Sequence, residues 1–264
     1  MDTSTNYRLP RNIVPKRYSI RLRPDFQAFT FAGAESIELE VMEASTFVTM
    51  NAAELEIKSA RVVQAENSQN CHVELDAELE RVTLSFDLAL APGNAVLDIE
   101  FMGSLNDQLS GFYRSKFVGE NGEELYIATT QFEATDARKA FPCFDEPDLK
   151  AVFSVQLDAP LNYLAVSNAP ESGSVDLGDG YKRVSFEDTI PMSTYLLAFI
   201  VTRSPNHICA ISWLITSTMR SSSSRDDLAG STRSSVSLKV TAPRFSMAPN
   251  AKSGMAIRSS FLPG

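Results

Sequence analysis

The stretch SIELEV, residues 36–41, decides how the chain is read. Ile37, Leu39 and Val41 alternate with Glu38 and Glu40. A period of two puts the aliphatic side chains on one face of a strand and the carboxylates on the other. A helix, turning about 100° per residue, would scatter the same residues around its axis. The alternation recurs on both sides of this stretch. It is found at Tyr18, Ile20 and Leu22, at Val82, Leu84, Phe86 and Leu88, at Phe153, Val155 and Leu157, and at Val184 and Phe186. Arg-Pro-Asp at 23–25, Ala-Pro-Gly-Asn at 91–94 and Leu-Gly-Asp-Gly at 177–180 supply turn chemistry between the runs. No long window carries a helical period. The expected fold is an all-β, sandwich-like antiparallel domain over residues 1–202, with packed strands from about residue 8.

Composition narrows the partners. The chain has 264 residues and a net charge of −9, so an electrostatic footprint for nucleic acid or an anionic membrane is not expected. The longest apolar runs, YLLAFIV at 195–201 and ISWLI at 211–215, are too short to cross a bilayer. The N-terminus MDTSTNYRLP has no apolar core of a secretory signal. Three scattered cysteines, Cys71, Cys143 and Cys209, show no CxxC spacing, which points to a reducing, cytoplasmic compartment rather than a disulfide framework.

The character changes after residue 202. Residues 203–264 hold fifteen serines and eight Lys or Arg, with Asp226 and Asp227 as their acids. The first 202 residues hold 16 basic and 31 acidic side chains. Runs such as SSSSR at 221–225 show neither strand nor helix period, so 203–264 is expected to be a low-complexity Ser/Arg-rich tail, disordered or non-native.

Several chemistries are excluded by inventory. An HExxH zinc site needs two His four residues apart on one helix face, and the chain holds His72 and His207 alone. A mixed site from Cys71, His72, His207 and Cys209 has ligand types without a recognised spacing, and adjacent strand residues face opposite ways. There is no GxSxG. GSVDLGDG at 173–180 ends without Lys-Ser/Thr and reads as a hairpin, not a phosphate cradle.

One connection is dense in polar residues: TTQFEATDARKAFPCFDEPDLKAVF, 129–153. Thr130, Gln131 and Phe132 close a strand. Thr135 or Asp136 is placed to cap a short helical turn, DARKAF, that Pro142 ends. Arg138 and Lys139 lie near Asp136, Asp145 and Glu146, enough for an ion-pair network that stiffens a loop. Glu133 has no partner at helical spacing; from the residues alone it reads as a solvated carboxylate.

This stretch resembles the signature of zinc aminopeptidases of the aminopeptidase N and puromycin-sensitive type. RLPRNIVPKRYSIRLRPD (8–25), FTFAGAESIELEV (29–41), VTMNAAEL (48–55), LSGFYRS (109–115), VSNAP (166–170) and PMSTYLLAFIV (191–201) resemble the same family in the same order. The resemblance spans about residues 7–201 and is nearest the cytosolic puromycin-sensitive branch. It implies a twisted, saddle-like β domain that precedes a thermolysin-like catalytic domain. It also implies that Glu133 binds the substrate α-ammonium and that Gln131 lines the pocket for the first side chain. A fixed carboxylate selects a charged amine through a charge-assisted hydrogen bond. Arg138, Asp145 and Glu146 keep a structural reading.

The family pattern continues with a GAMEN segment, HExxH, a more distant Glu and a transition-state Tyr. None of these follows Val201, where the text runs TRSPNHICAISWLITSTMR instead. Such a change resembles a reading-frame shift or a splice variant. The expectation is a substrate-anchoring domain without its catalytic domain: no catalytic residue, no metal or other cofactor held by this chain, and inactivity alone. Zinc belongs to full-length family members, and peptide N-termini become ligands once a catalytic domain is present. The competing expectation is a non-catalytic β module or decoy that binds other protein chains.

Overall fold

Alternation becomes pairing in the computed structural model, which describes residues 8–119 and 121–203. The tail expected over 203–264 therefore lies outside the described residues, apart from Arg203. Five strands fill the first part: β1 (Ile13–Asp25), β2 (Thr30–Val41), β3 (Ser45–Asn51), β4 (Leu55–Gln64) and β5 (Asn67–Asn70). Then follow β6 (His72–Asp76), β7 (Arg81–Leu90), β8 (Gly93–Ser104), β9 (Gly111–Val118) and β10 (Glu124–Gln131). The last are β11 (Val152–Pro160), β12 (Leu164–Ser167), β13 (Glu171–Asp176), β14 (Tyr181–Phe186) and β15 (Phe199–Thr202). Among the described residues there is no α-helix, so none is long and apolar enough to cross a membrane.

Eight strands form the main sheet, in the order β13-β14-β11-β1-β2-β8-β4-β5. A second sheet runs β12-β15-β10-β9 and a third β3-β7-β6. Buried side chains of all three merge into one apolar cluster, with Ile37 and Leu97 from the first, Phe112 and Phe199 from the second, Val48 and Leu84 from the third. The domain is an all-β layered sandwich. The strand pairs are antiparallel except β1 with β11, which run parallel from Arg17↔Val152 to Leu22↔Leu157. A parallel neighbour cannot be reached through a tight hairpin, so the chain builds the third sheet and strands β9 and β10 of the second before it returns beside β1.

The β2–β8 pair shows how the layer is filled. Its register sets Phe31 opposite Gly103 and Gly33 opposite Phe101. A Cβ on Gly33 would lie 2.2 Å from the Phe101 ring, and one on Gly103 would lie 2.3 Å from the Phe31 ring. Each ring thus covers the glycine facing it. Phe31 then meets Phe112 of the second sheet edge-on, with ring centroids 5.1 Å apart.

Local readings differ in three places. Arg-Pro-Asp at 23–25 finishes β1 rather than turning; the turn follows, closed by Asp25 Oδ1, which accepts from Gln27 N and Ala28 N. Leu88 is exposed although its spacing predicts an inward face. The β3–β7 register shifts between Ser45 and Phe47, and this bulge carries Leu88 outward. The Gln69 side chain bonds both backbone groups of Leu88 there. The segment DARKAF forms a 3-10 turn at Ala137–Lys139 with no side-chain cap. Glu35 falls on the buried face that Ile37, Leu39 and Val41 share.

The Gly–Phe packing is testable by urea unfolding of the chain. Gly33→Ala should destabilise by about 1–3 kcal/mol, the usual cost of overpacking. Gly173→Ala, where an added Cβ meets nothing within 4 Å, should stay within about 0.5 kcal/mol. Equal effects of the two substitutions would contradict this packing.

Candidate functional site

The connection from β10 to β11 carries the chain from the second sheet to the main sheet, and its first residues are the candidate site. Gln131 ends β10 opposite Gly111, the first residue of β9. Gly111 has φ +71°, and a Cβ there would lie 2.7 Å from Lys139 Cβ. A side chain would therefore be both strained and crowded, which explains the glycine in LSGFYRS. Phe132 is buried, with edge contacts to Phe141 at 6.0 Å and Phe199 at 5.8 Å. The chain reverses just after it, Asp136 N donating to Phe132 O at 2.9 Å. Gln131, half-buried, and Glu133, exposed, thus flank an anchored ring.

Below the reversal, Arg138 donates from Nε to Asp145 Oδ2 and from Nη1 to Glu80 Oε2, both at 3.0 Å. Burial opposes the Arg138 charge, but the bonds to Asp145 and Glu80 and the Asp145 charge outweigh it, so its pKa stands above the ordinary value. Asp145 is itself buried. Its other oxygen accepts from Thr194 Oγ1 at 2.6 Å, and its backbone N donates to Asn51 Oδ1 at 3.3 Å. Cys143 exchanges two backbone bonds with Asn51, and Phe144 N donates to the Tyr18 hydroxyl at 3.1 Å. Burial, and then the nearby Asp145 charge, push the Cys143 thiol well above its usual range, which leaves no thiolate nucleophile at neutral pH.

The expected ion-pair network exists with altered partners. Lys139 meets Asp136 at 3.2 Å and Ser110 Oγ at 2.9 Å. Glu146 turns instead to the N-terminal segment, accepting from Leu9 N at 2.5 Å and from Arg11. Arg11 also meets Asp148 at 3.0 Å. Every other acid of residues 129–153 is therefore engaged. Among the described residues, Glu133 has no hydrogen-bond or ion-pair partner.

Tyr18, Asn51, Glu80 and Thr194 escape sequence reasoning because they lie far from the loop in the chain. Three of the four sit inside the ordered motifs at 8–25, 48–55 and 191–201, and that was the available signal. A polar cleft of about 770 Å³ lies beside the loop, with Arg8, Glu78, Glu80, Arg138, Glu146 and Asp148 in its walls; neither Gln131 nor Glu133 lines it. Among the described residues, no three His, Cys, Asp or Glu side chains converge on a metal position. His72 is exposed and Cys71 half-buried, its thiol pushed up to about 11 by burial. The described residues do not fit a zinc centre, and His207 and Cys209 lie outside them.

The sequence of this domain has known counterparts. The Peptidase M1 N-terminal domain family matches over residues 14–196, and the chain belongs to that family. It is 41% identical over 194 residues to Aminopeptidase 2 of Candida albicans, covering 73% of this chain and 21% of that protein. It is 42% identical over 194 residues to Aminopeptidase M1-C of Oryza sativa subsp. japonica, covering 74% and 22%. The Puromycin-sensitive aminopeptidase of Caenorhabditis elegans is 37% identical over 197 residues, covering 74% and 21%. The chain spans about a fifth of the length of these relatives.

The loop's dependence on Asp145 can be measured by chemical denaturation. Asp145→Ala leaves Arg138 with one fewer counter-charge in a buried setting and should cost about 3–5 kcal/mol. Asp148→Ala removes an exposed partner of Arg11 and should cost less than about 1 kcal/mol. Similar losses for the two would show that Asp145 is not the anchor.

Proposed function

We propose that this domain anchors the N-terminus of a peptide for a zinc aminopeptidase, with Glu133 receiving the substrate α-ammonium and Gln131 bordering the first side chain. The observation that carries the reading is the unpartnered carboxylate of Glu133 in a loop whose other acids are all engaged. An exposed charge held beside a buried ring keeps its position without spending its charge on the protein. The family membership and the aminopeptidase names of the relatives support the same reading.

Catalysis itself is assigned to a domain that this sequence does not contain, since zinc-assisted attack on a peptide bond needs the metal and its ligands. The ligands of this reading are peptides with a free N-terminus; it invokes neither nucleic acid nor membrane. The free thiols of Cys71 and Cys143 fit a reducing, cytoplasmic setting.

Two measurements test the proposal. The chain alone should bind no stoichiometric zinc and should not turn over an aminoacyl-anilide; chelator-sensitive turnover, with contaminating peptidase excluded, would refute the assignment of catalysis elsewhere. The second uses residues 1–201 joined to the remainder of one of the similar aminopeptidases. Glu133→Gln there should lower kcat/KM by about ten- to a hundred-fold, or about 1.5–3 kcal/mol, for free-amine substrates. The loss should shrink for substrates with an uncharged N-terminus. An unchanged kcat/KM returns Glu133 to a solvated carboxylate.

A further inference from the structure

Glu35 is the one charged residue type set into an otherwise aliphatic stripe, and nothing in the proposed substrate role uses it. It lies on the buried face of β2, 4% exposed, between Gly33 and Ile37. Its register partners are Ile20 on β1 and Ile99 on β8, and Ile99 is backed in turn by Ala60 on β4. Both carboxyl oxygens are buried and accept no hydrogen bond from any described residue. A buried carboxylate in this position would carry a large desolvation cost with no compensating donor, whereas a neutral acid carries far less.

We infer that Glu35 is a protonation switch built into the main sheet: the neutral acid is tolerated in the apolar layer, and its ionisation weakens the layer on which the β10–β11 loop rests. The charged groups around it offer no counter-ion. Tyr18 of β1 and Cys143 of the loop are the titratable groups that feel it from the core side, and Asp145 stands behind both. Burial first, then neighbouring negative charge including Glu35, pushes both of these groups up and keeps them neutral, and neither a phenol nor a thiol supplies a positive charge. Arg138 acts on Cys143 but is bonded to Asp145 and Glu80. Arg21, Arg61, Asp98 and Glu100 belong to the opposite, solvent-facing side of β1, β4 and β8, and Val155 is the inward neighbour contributed by β11.

The coupling to the loop runs through Tyr18. Its hydroxyl receives Phe144 N, and its ring stacks on Phe153 at 5.0 Å and meets Phe141 at 6.0 Å. A carboxylate formed at Glu35 places a charge beside Tyr18 and Cys143 and draws water into the layer.

The linkage has a definite sign. Burial alone holds Glu35 well above the usual carboxylate range, while the unfolded chain releases the proton near the ordinary value of about 4.3. The folded state therefore binds the extra proton. Its stabilising effect is complete below about pH 4.3 and is lost as pH rises toward the folded value. Through that window the folded-to-unfolded ratio contributed by this site falls about tenfold per pH unit.

The test is urea unfolding of the full chain and of Glu35→Gln across pH 4 to 8. Glu35→Gln mimics the neutral acid, so the two proteins should agree near pH 4. The variant should then gain about tenfold in folding equilibrium per pH unit until the folded Glu35 ionises. A difference that is constant across the range overturns the proposal. Should Glu35→Gln not fold, the wild type decides alone. With 13C-labelled glutamate, one side-chain carboxyl resonance should titrate well above all the others. If every glutamate carboxyl titrates together in the ordinary range, Glu35 is no switch.

Discussion

Asp145 ties its own loop to two distant parts of the chain. Its carboxylate takes the Arg138 guanidinium from one side and the Thr194 hydroxyl from the other, while its backbone reaches Asn51 at the end of β3. The loop between β10 and β11 must cross from one sheet to another, and a crossing of that length has many conformations to lose. A buried, fully bonded charge restricts them because each alternative path leaves an ion unpaired in the apolar interior. The geometry of Gln131 and Glu133 depends on this restriction. Phe132 fixes where the loop begins, and Asp145 fixes where it can go.

The strand faces were legible because a period of two is a local property. Tyr18, Ile20 and Leu22 are buried as their spacing requires, and so are Phe153, Val155 and Leu157. Pairing was not legible. Nothing local to Arg17 announces Val152, and parallel register is set by the packing of whole layers. Leu88 shows the same limit on a smaller scale, since the bulge that turns it outward is a property of two strands. The loop divided in a similar way. Its Lys139–Asp136 and Arg138–Asp145 pairs could be read from neighbouring residues, but the partners of Glu146 are at the N-terminus and the other partners of Asp145 lie in two other motifs. Glu133 came from resemblance; among the described residues it has no hydrogen-bond or ion-pair partner.

The division of labour among carboxylates follows from burial. Asp145 is buried and bonded, so its charge is consumed in holding the loop. Glu35 is buried and unbonded, and a neutral acid fits its surroundings. Glu133 is exposed and, among the described residues, unbonded, and it is the charge that the proposed function offers to a substrate ammonium. The same functional group thus serves as anchor, as latent charge and as candidate recognition element, according to what surrounds it.

The parallel β1–β11 pair also bears on how the chain is made. A ribosome delivers β1, β2, β4 and β8 before residue 105, and these can assemble in antiparallel fashion as they emerge. The outer edge of β1 has no mate until β11 arrives, so Arg17 waits for Val152. During that interval a long strand presents unpaired amides and carbonyls, open to pairing with a neighbouring nascent chain. The basic and prolyl residues of β1, Pro15, Lys16, Arg17, Arg21, Arg23 and Pro24, are suited to discourage such pairing. In the finished domain three of these charges are paired instead, Lys16 with Glu40, Arg17 with Asp188 and Arg23 with Asp179.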